Sequence, residues 1–264
     1  MKRFLLSAPP NSDGMVRLYD KDYHYLARVR RLRAGSYFDA LLPDGAEIRL
    51  RVLSTADNIL IAECVALPES VRAQQGQAGQ VPAKRMPPIA LFQGLPKGAK
   101  MDIIVRQAAE GAVFEVAPFQ SDYSAPRAGA DKIKRWERII REARQQSGSA
   151  TETIVKPPCA LEDILGYWES IKKSYERPVG LLFHQEPLER GSFHDYIRGN
   201  PDFVAVAVGP EGGFSPREVS LFLAAGFKPL LLGNTILRVE TAALYGIAAL
   251  RIILLESESW MPKG

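Results

Sequence analysis

After Ile89 the chain alternates continuous apolar runs of strand length with stretches of helical spacing, and this pattern constrains the fold more than any other. The runs are IALFQGL (Ile89–Leu95), VFEVAPF (Val113–Phe119), VGLLFH (Val179–His184), FVAVAVG (Phe203–Gly209) and PLLLG (Pro229–Gly233). Strands that are apolar throughout, not at every second residue, are buried on both faces, as in parallel sheets. Between them, Lys97–Gly111 places Met101, Ile104, Val105 and Ala108 on one helical face, and Asp131–Ser147 does the same with Ile133, Trp136, Ile139, Ile140 and Ala143. Ser215-Pro216-Arg217-Glu218 is a capping box with proline at the first helical position, opening a helix that runs to Gly226. A last helix is predicted from near Arg238 to about Leu255. Strand and helix in alternation imply an α/β domain around a mostly parallel sheet.

The first 70 residues have a different texture. Short apolar runs (Val16–Tyr19, Tyr37–Leu42, Ile48–Leu53, Ile59–Leu67) are separated by turn signals such as Pro43-Asp44-Gly45 and Asp57-Asn58. One helix, Lys21 to Arg33, interrupts them, and closely spaced short strands suggest a small barrel. Residues 71–88 are rich in Gln, Gly, Ala and Pro and read as a linker. The expected division is residues 1–70, a linker at 71–88, and an α/β domain over 89–264.

Of the 264 residues, 46% are hydrophobic and 24% charged, ordinary globular values that exclude a disordered or collagen-like chain. No apolar stretch approaches the ~20 residues of a membrane span. Phe4–Leu6 is too short for a signal-peptide core. The two cysteines, Cys64 and Cys159, stand apart, which fits a reducing, cytoplasmic compartment. His24, His184 and His194 are too scattered to suggest a metal site. The net charge of +4 is unevenly spread. Residues 1–35 hold eight Lys/Arg against three acids, 71–106 six against one, and 127–146 seven against three. Positive charge gathered in the first half suits a phosphate backbone, although solvated faces and a basic linker give the same count.

Two strand-end loops are candidates for chemistry. GPEGGF (Gly209–Phe214) lies between a buried strand and the capped helix, and its glycines allow close backbone approach to a ligand. Loops at the carboxyl ends of parallel strands are where α/β sheets bind ligands. Glu211 within it suits a cationic or amine-bearing ligand better than a phosphate. The segment is neither a dinucleotide fingerprint nor a P-loop. LGNTILRVETAA (Leu232–Ala243) likewise leaves a strand and enters a helix, with Arg238, Glu240 and Thr241 at the helix start. Arg238 can contact a phosphate or a polarised carbonyl, while Glu240 and Thr241 can equally cap the helix. The two loops together can form two walls of one pocket.

GPEGGFSPREV followed by LGNTILRVETAAL resembles the C-terminal signature of the SPOUT-class RNA methyltransferases, and specifically the RsmE family, which methylates N3 of a uridine in the 16S rRNA decoding region of the small ribosomal subunit. The resemblance spans nearly the whole chain. Arg3–Leu6 and His24–Gly35 are similar to the family's PUA-like N-terminal domain, and Lys97–Glu110 and Arg135–Gly148 to its two central segments. It implies a SPOUT domain with a deep trefoil knot, a homodimer, and S-adenosylmethionine bound at the loops His184–Glu186, Gly209–Phe214 and Leu232–Thr241. Cofactor-binding residues are then expected at His184, Gly209, Pro210, Glu211, Gly212, Gly213, Leu232, Gly233, Ile236, Leu237 and Thr241, with Leu232, Ile236 and Leu237 packed on adenine. The final helix, apolar almost all round (Ala242, Ala243, Leu244, Ile247, Ala248, Leu250), fits an interface or a core. This chain departs from the family pattern at Ala108–Gly111, at Ser121-Asp122-Tyr123 and at Thr235, the last two removing basic positions.

Methylating uracil N3 requires loss of the N3–H, an in-line methyl sulfonium and an unstacked base. Arg238 is the expected cation at the uracil carbonyls, and Glu240 the candidate proton acceptor. Glu211 can instead face the sulfonium or the cofactor's amino group. No metal is expected. RNA contacts are assigned to Arg3, Arg28, Arg30, Arg31, Arg33, Lys97 and Lys100, as phosphate rather than base contacts. Two alternatives stay open: methylation of another RNA, and a non-catalytic RNA-binding ribosome-assembly factor.

Overall fold

The computed structural model describes residues 4–42, 46–65, 86–124, 130–186 and 192–256. Arg3, Arg127, the Pro43-Asp44-Gly45 turn and most of the predicted linker lie outside the described residues. The chain divides into two compact units. The first is Met1–Ala83 with Arg144–Glu152, and the second is Lys84–Ala143 with Thr153–Gly264. The first unit therefore also takes in a stretch from the second half of the chain, where the sequence suggested a simple linear division.

The first unit is built on a five-stranded sheet in the order β1 (Phe4–Leu5), β3 (Tyr37–Leu41), β4 (Glu47–Ala56), β5 (Ile59–Val65), β2 (Met15–Leu18). The β1–β3 pair is parallel and the others are antiparallel. Leu50 and Val52 on β4 point into the core with Phe4, Phe38 and Leu60, while Arg51 between them faces out to Glu63. Asp57 and Asn58 both have positive φ, 53° and 59°, the two-residue turn that matches strand twist.

The predicted helix over Lys21–Arg33 is shorter and wider than the spacing suggests. Asp20–Tyr23 is α-helical (α1), and His24–Val29 is a π-helix. The Arg30 N–H reaches back five residues to the Tyr25 carbonyl at 2.9 Å, and Arg31 then takes a φ of 57°. Tyr23 and Leu26 are buried, but beyond Leu26 no fully buried side chain holds an α-helix on the sheet, and Val29 is exposed. Such wide turns recur at functional sites. Arg28, Arg31 and Arg33 follow with exposed side chains, and Arg30 is half-buried.

The second unit is a parallel sheet. Its order is β12 (Lys228–Leu230), β10 (Pro178–Phe183), β11 (Phe203–Val208), β6 (Ile89–Gly94), β7 (Glu115–Gln120), β8 (Ile154–Val155), with β9 (Cys159–Ala160) also on β7. Every pairing is parallel. Alternate side chains feed two cores, which explains the unbroken apolar runs. Ile89, Leu91, Val204, Val206 and Leu181 face α2 (Lys100–Glu110), α3 (Ala130–Ser147) and α7 (Val239–Glu256). Ala90, Phe92, Ala205, Ala207 and Leu182 face α4 (Leu161–Ser174) and α6 (Pro216–Ala224). A short α5 (Phe193–Ile197) precedes β11. Among the described residues no helix is long and apolar enough to cross a membrane.

Candidate active site

Three neighbouring strands, β12, β10 and β11, end side by side at Leu230, Phe183 and Val208. The loops that leave them enclose a cavity of about 360 Å³, within the range of small-molecule sites. Phe183, Val208, Val239 and Ala242 line it from the strand ends and the start of α7. The helix sits so close to Phe183 that a Cβ on Gly246 would fall 1.8 Å from the ring. Only glycine at that position lets α7 close the end of the cavity.

The first wall is Gly209–Phe214. It is tied down residue by residue. A Cβ on Gly94 would meet Pro210 Cδ at 2.7 Å, so the end of β6 passes directly beneath the proline. Gly213 adopts a φ of 70° and donates its N–H to the Pro210 carbonyl at 2.9 Å, closing a tight turn. The fully buried Gln93 donates its side-chain amide toward the carbonyls of Gly94 (2.9 Å), Val208 (3.3 Å) and Gly209 (3.4 Å).

Glu211 is held from the other side. Its carboxylate accepts the Lys97 backbone N–H at 3.0 Å and the Lys100 ammonium at 2.6 Å. Desolvation alone would raise its pKa, but these hydrogen bonds and the Lys100 charge outweigh it and hold the carboxyl below the ordinary glutamate value. The cation that Glu211 meets within the chain is thus Lys100.

The exit of this wall is anchored by Glu218, whose side chain is fully buried. Its carboxylate accepts the Ser215 N–H (2.8 Å), the Asp122 N–H (3.0 Å) and the Ser121 hydroxyl (3.1 Å). Ser215 in turn donates its hydroxyl to Asp122 at 2.5 Å and accepts the Glu218 N–H at 3.3 Å. The capping box predicted from the sequence therefore also fastens the turn after β7 to the loop after β11.

The second wall is residues 231–238. Among the described residues no hydrogen bond holds residues 231–237 outside the β12 ladder. Leu231 and Arg238 are exposed, and Ile236 is 85% exposed. Arg238 has no carboxylate within 4 Å among the described residues. Its carbonyl accepts the Ala242 N–H at 2.8 Å, the first bond of α7. Between the walls lies His184, whose backbone N–H bonds the Leu230 carbonyl and whose Nδ1 lies 3.1 Å from the Glu186 nitrogen and 3.2 Å from the Glu186 carbonyl oxygen.

Residues 84–251, more than half of the chain, match the RNA methyltransferase domain. Ribosomal RNA small subunit methyltransferase E of Synechocystis is 30% identical over 244 residues, covering 92% of this chain and 74% of that protein. The chain belongs to the ribosomal RNA small subunit methyltransferase E family. The second protein of that name in Borreliella burgdorferi is 26% identical over 96% of this chain and 98% of its own. The crystal structure of the Neisseria gonorrhoeae enzyme bound to S-adenosyl methionine superimposes with a TM-score of 0.75 at 26% identity, covering 96% of this chain and 98% of that one.

Most residues expected at the cofactor site of this methyltransferase are brought together. His184, Gly209, Pro210, Glu211 and Gly213 line the cavity, as do Leu232, Gly233, Ile236 and Leu237, and Arg238 and Lys100 lie at its edge. Gly212, Glu240 and Thr241 are not among its lining residues. Gly212 turns toward Tyr123. Glu240 is half-buried in the first turn of α7 with one carboxylate oxygen unbonded, and Thr241 is exposed on the next residue of that helix. Lys97 enters through its backbone N–H, not its ammonium. Sequence reasoning missed Gln93 and Glu218 as buried anchors, while the lining residues Gln185 and Thr235 lie within the loops it assigned to the cofactor. Gln93 does carry a signal: it is the one polar side chain in the run IALFQGL.

Proposed function

We propose that this methyltransferase transfers a methyl group from S-adenosylmethionine to N3 of a uridine in the decoding region of 16S rRNA, on the small ribosomal subunit. The observation that carries the reading is the cavity itself. One wall is glycine backbone, the other carries Leu232, Ile236 and Leu237 with Ile236 largely in water, and Arg238, which has no carboxylate within 4 Å among the described residues, stands at the rim. That donor set suits a nucleoside with a sulfonium-linked amino acid: the apolar side chains of Leu232, Ile236 and Leu237 cover an adenine, and the bare backbone of Gly209–Gly213 hydrogen-bonds its edge. The similarity to ribosomal RNA small subunit methyltransferases and the S-adenosyl methionine in the Neisseria structure support rRNA methylation with this cofactor.

S-adenosylmethionine supplies an electrophilic methyl group. The chain's own residues supply position and charge. Arg238 sets its guanidinium at the uracil carbonyls, where negative charge builds as N3 loses its proton. Glu240 is the candidate acceptor of that proton, and in the first turn of α7 it also favours the helix N-terminus through the helix dipole. Glu211 and Gln93 hold the first wall. Holding the reactants in line accounts for a large share of the rate, on the order of 7–11 kcal/mol in well-oriented cases.

The first unit, read as a PUA-like barrel, anchors RNA through phosphate contacts assigned to Arg3, Arg28, Arg30, Arg31 and Arg33, and in the second unit Lys97 and Lys100 are assigned the same kind of contact. The knot of the SPOUT class is assigned to the chain running through the two cavity walls. Homodimerisation is assigned to α7, where Leu244, Tyr245, Ile252 and Leu255 lie exposed along one side. The compartment assigned is the cytoplasm.

The test is transfer from labelled S-adenosylmethionine to small subunits lacking the modification, with naked 16S rRNA and bulk tRNA alongside, followed by nucleoside mass spectrometry. N3-methyluridine from the small subunit is expected. A different methylated nucleoside overturns the substrate, and cofactor binding without transfer to any RNA favours an assembly factor.

A further inference from the structure

The turn that follows β7 presents an aromatic side chain that the cofactor site does not use. Tyr123 is half exposed, 50%, on a turn closed by the Ser124 N–H donating to the Ser121 carbonyl at 3.0 Å. The Ser121 N–H also donates to the Ser124 hydroxyl at 3.0 Å. The flanking residues are pinned by the buried Glu218 carboxylate and by the Ser215 hydroxyl. Five hydrogen bonds, three of them from the backbone, thus hold the four-residue turn that carries Tyr123.

The ring also has a reserved place. A Cβ on Gly212 would lie 2.8 Å from Tyr123 Cβ and 3.1 Å from its Cγ. Gly212 is thus glycine because the tyrosine stem packs on its Cα. Its neighbours Glu211 and Gly213 line the cavity, so Tyr123 stands against the outer side of the wall whose inner side the cofactor is assigned to. Cations border the same wall: Lys100 bonds Glu211, and Arg217 is 3.6 Å from Asp122.

A protein that works on a base's pairing edge must unstack that base, and proteins that hold unstacked bases do so on aromatic faces. A half-exposed ring on a hydrogen-bonded turn, its stem packed against Gly212, is the arrangement such a surface requires. We propose that Tyr123 is an aromatic platform on which a nucleobase of the RNA substrate, the target uridine or its neighbour, stacks during methyl transfer. It is a positioning residue for the RNA and makes no contact with the cofactor. This rests on the function proposed above.

Two substitutions separate the ring from its bulk. Tyr123→Phe keeps the aromatic face, and Tyr123→Leu keeps an apolar side chain over Gly212 without it. Three quantities are measured on the full chain. They are the Kd for S-adenosylmethionine by calorimetry, the Kd for a single-stranded uridine-rich oligonucleotide by fluorescence anisotropy, and the KM and kcat for small subunits. The expected result is a cofactor Kd within twofold of the native protein for both variants, Phe within twofold throughout, and Leu weaker by roughly 5- to 150-fold in RNA affinity and in KM for the subunit. The platform is overturned if Leu binds RNA as tightly as the native protein, if Phe loses as much as Leu, or if Leu weakens the cofactor as much as the RNA, since the last reports a structural role in the wall. Absence of any transfer by the native protein overturns the reaction proposed above. The oligonucleotide affinities still decide the platform in that case.

Discussion

The two walls of the cavity are made in opposite ways. Gly209–Phe214 is held by a buried glutamine, a buried glutamate, an ion pair and a tight turn, and its residues have little freedom before any ligand arrives. Residues 231–238 carry the larger apolar side chains, leave Leu231 and Ile236 exposed and Leu232 and Leu237 half-buried, and hold them with no hydrogen bond among the described residues outside the ladder. A prepared wall supplies directional groups at no ordering cost. An open wall leaves the ligand to complete its burial, so its apolar side chains contribute only on binding. The difference teaches where selectivity and where affinity reside: the first wall fixes what fits, and the second wall adds contact area once it is there.

This contrast is broken or sharpened most strongly at the rim. Arg238→Ala removes the one cation of the open wall, and methyl transfer should fall by about 10²–10³ with the cofactor Kd little changed, as for loss of a single charge-stabilising donor. Steady-state kinetics beside calorimetry checks it, and a parallel loss of cofactor affinity would make Arg238 a binding residue. Glu218→Ala strands the Ser215 and Asp122 amides in a dry site and should cost about 3 kcal/mol of stability, at about 1–3 kcal/mol for each buried donor left unpaired. Denaturant unfolding measures this, and cofactor affinity should fall with it if the prepared wall is what recognises the cofactor.

Ile236→Ser probes the open wall. Its side chain is 85% exposed, so stability should move by less than about 0.5 kcal/mol. Cofactor affinity should nonetheless drop by about tenfold, reflecting apolar surface buried only in the complex. The smallest effect concerns Glu211. Its carboxyl sits below the ordinary value of 4.5, so the stabilisation is fully present above about pH 4.5 and disappears as the pH falls through the lower folded value. Glu211→Gln should lower stability by about 1 kcal/mol at neutral pH, a generous figure for a partly exposed pair. A Tm series from pH 7 to pH 3 should show the two proteins converging at the acid end.

Legibility in the sequence follows the same division. The parallel sheet was readable because each strand buries both faces, α2 and α3 because their buried residues recur at helical spacing, and α6 because Ser215–Glu218 caps its start. Residues 149–178 were not assigned. β8 and β9 are two residues each, too short for any period. α4 does place Leu161, Ile164, Trp168 and Ile171 on one face, but Ala160 at its N-cap offers no capping side chain and Gly166 interrupts it. The site loops were legible as compositions, glycines and one acid, while the partners of that acid lie 111 and 114 residues away. No local pattern reveals such a pairing. Asp57-Asn58 gave its turn correctly, whereas the π-helix at His24–Val29 did not announce itself, because its register depends on which side chains the sheet accepts.

The strand order carries a consequence for the chain as it is made. One edge of β6 finds β7 soon after both are synthesised, but its other edge pairs with β11, Gln93 opposite Val208, 115 positions later. At 5–20 residues per second, that edge waits roughly 6–23 s for its neighbour. During that interval Ile89, Leu91 and Phe92 form an unprotected apolar template, open to any extended chain nearby. The geometry that brings three strand ends together around one cavity thus makes the nascent protein dependent on whatever shields it at the ribosome exit.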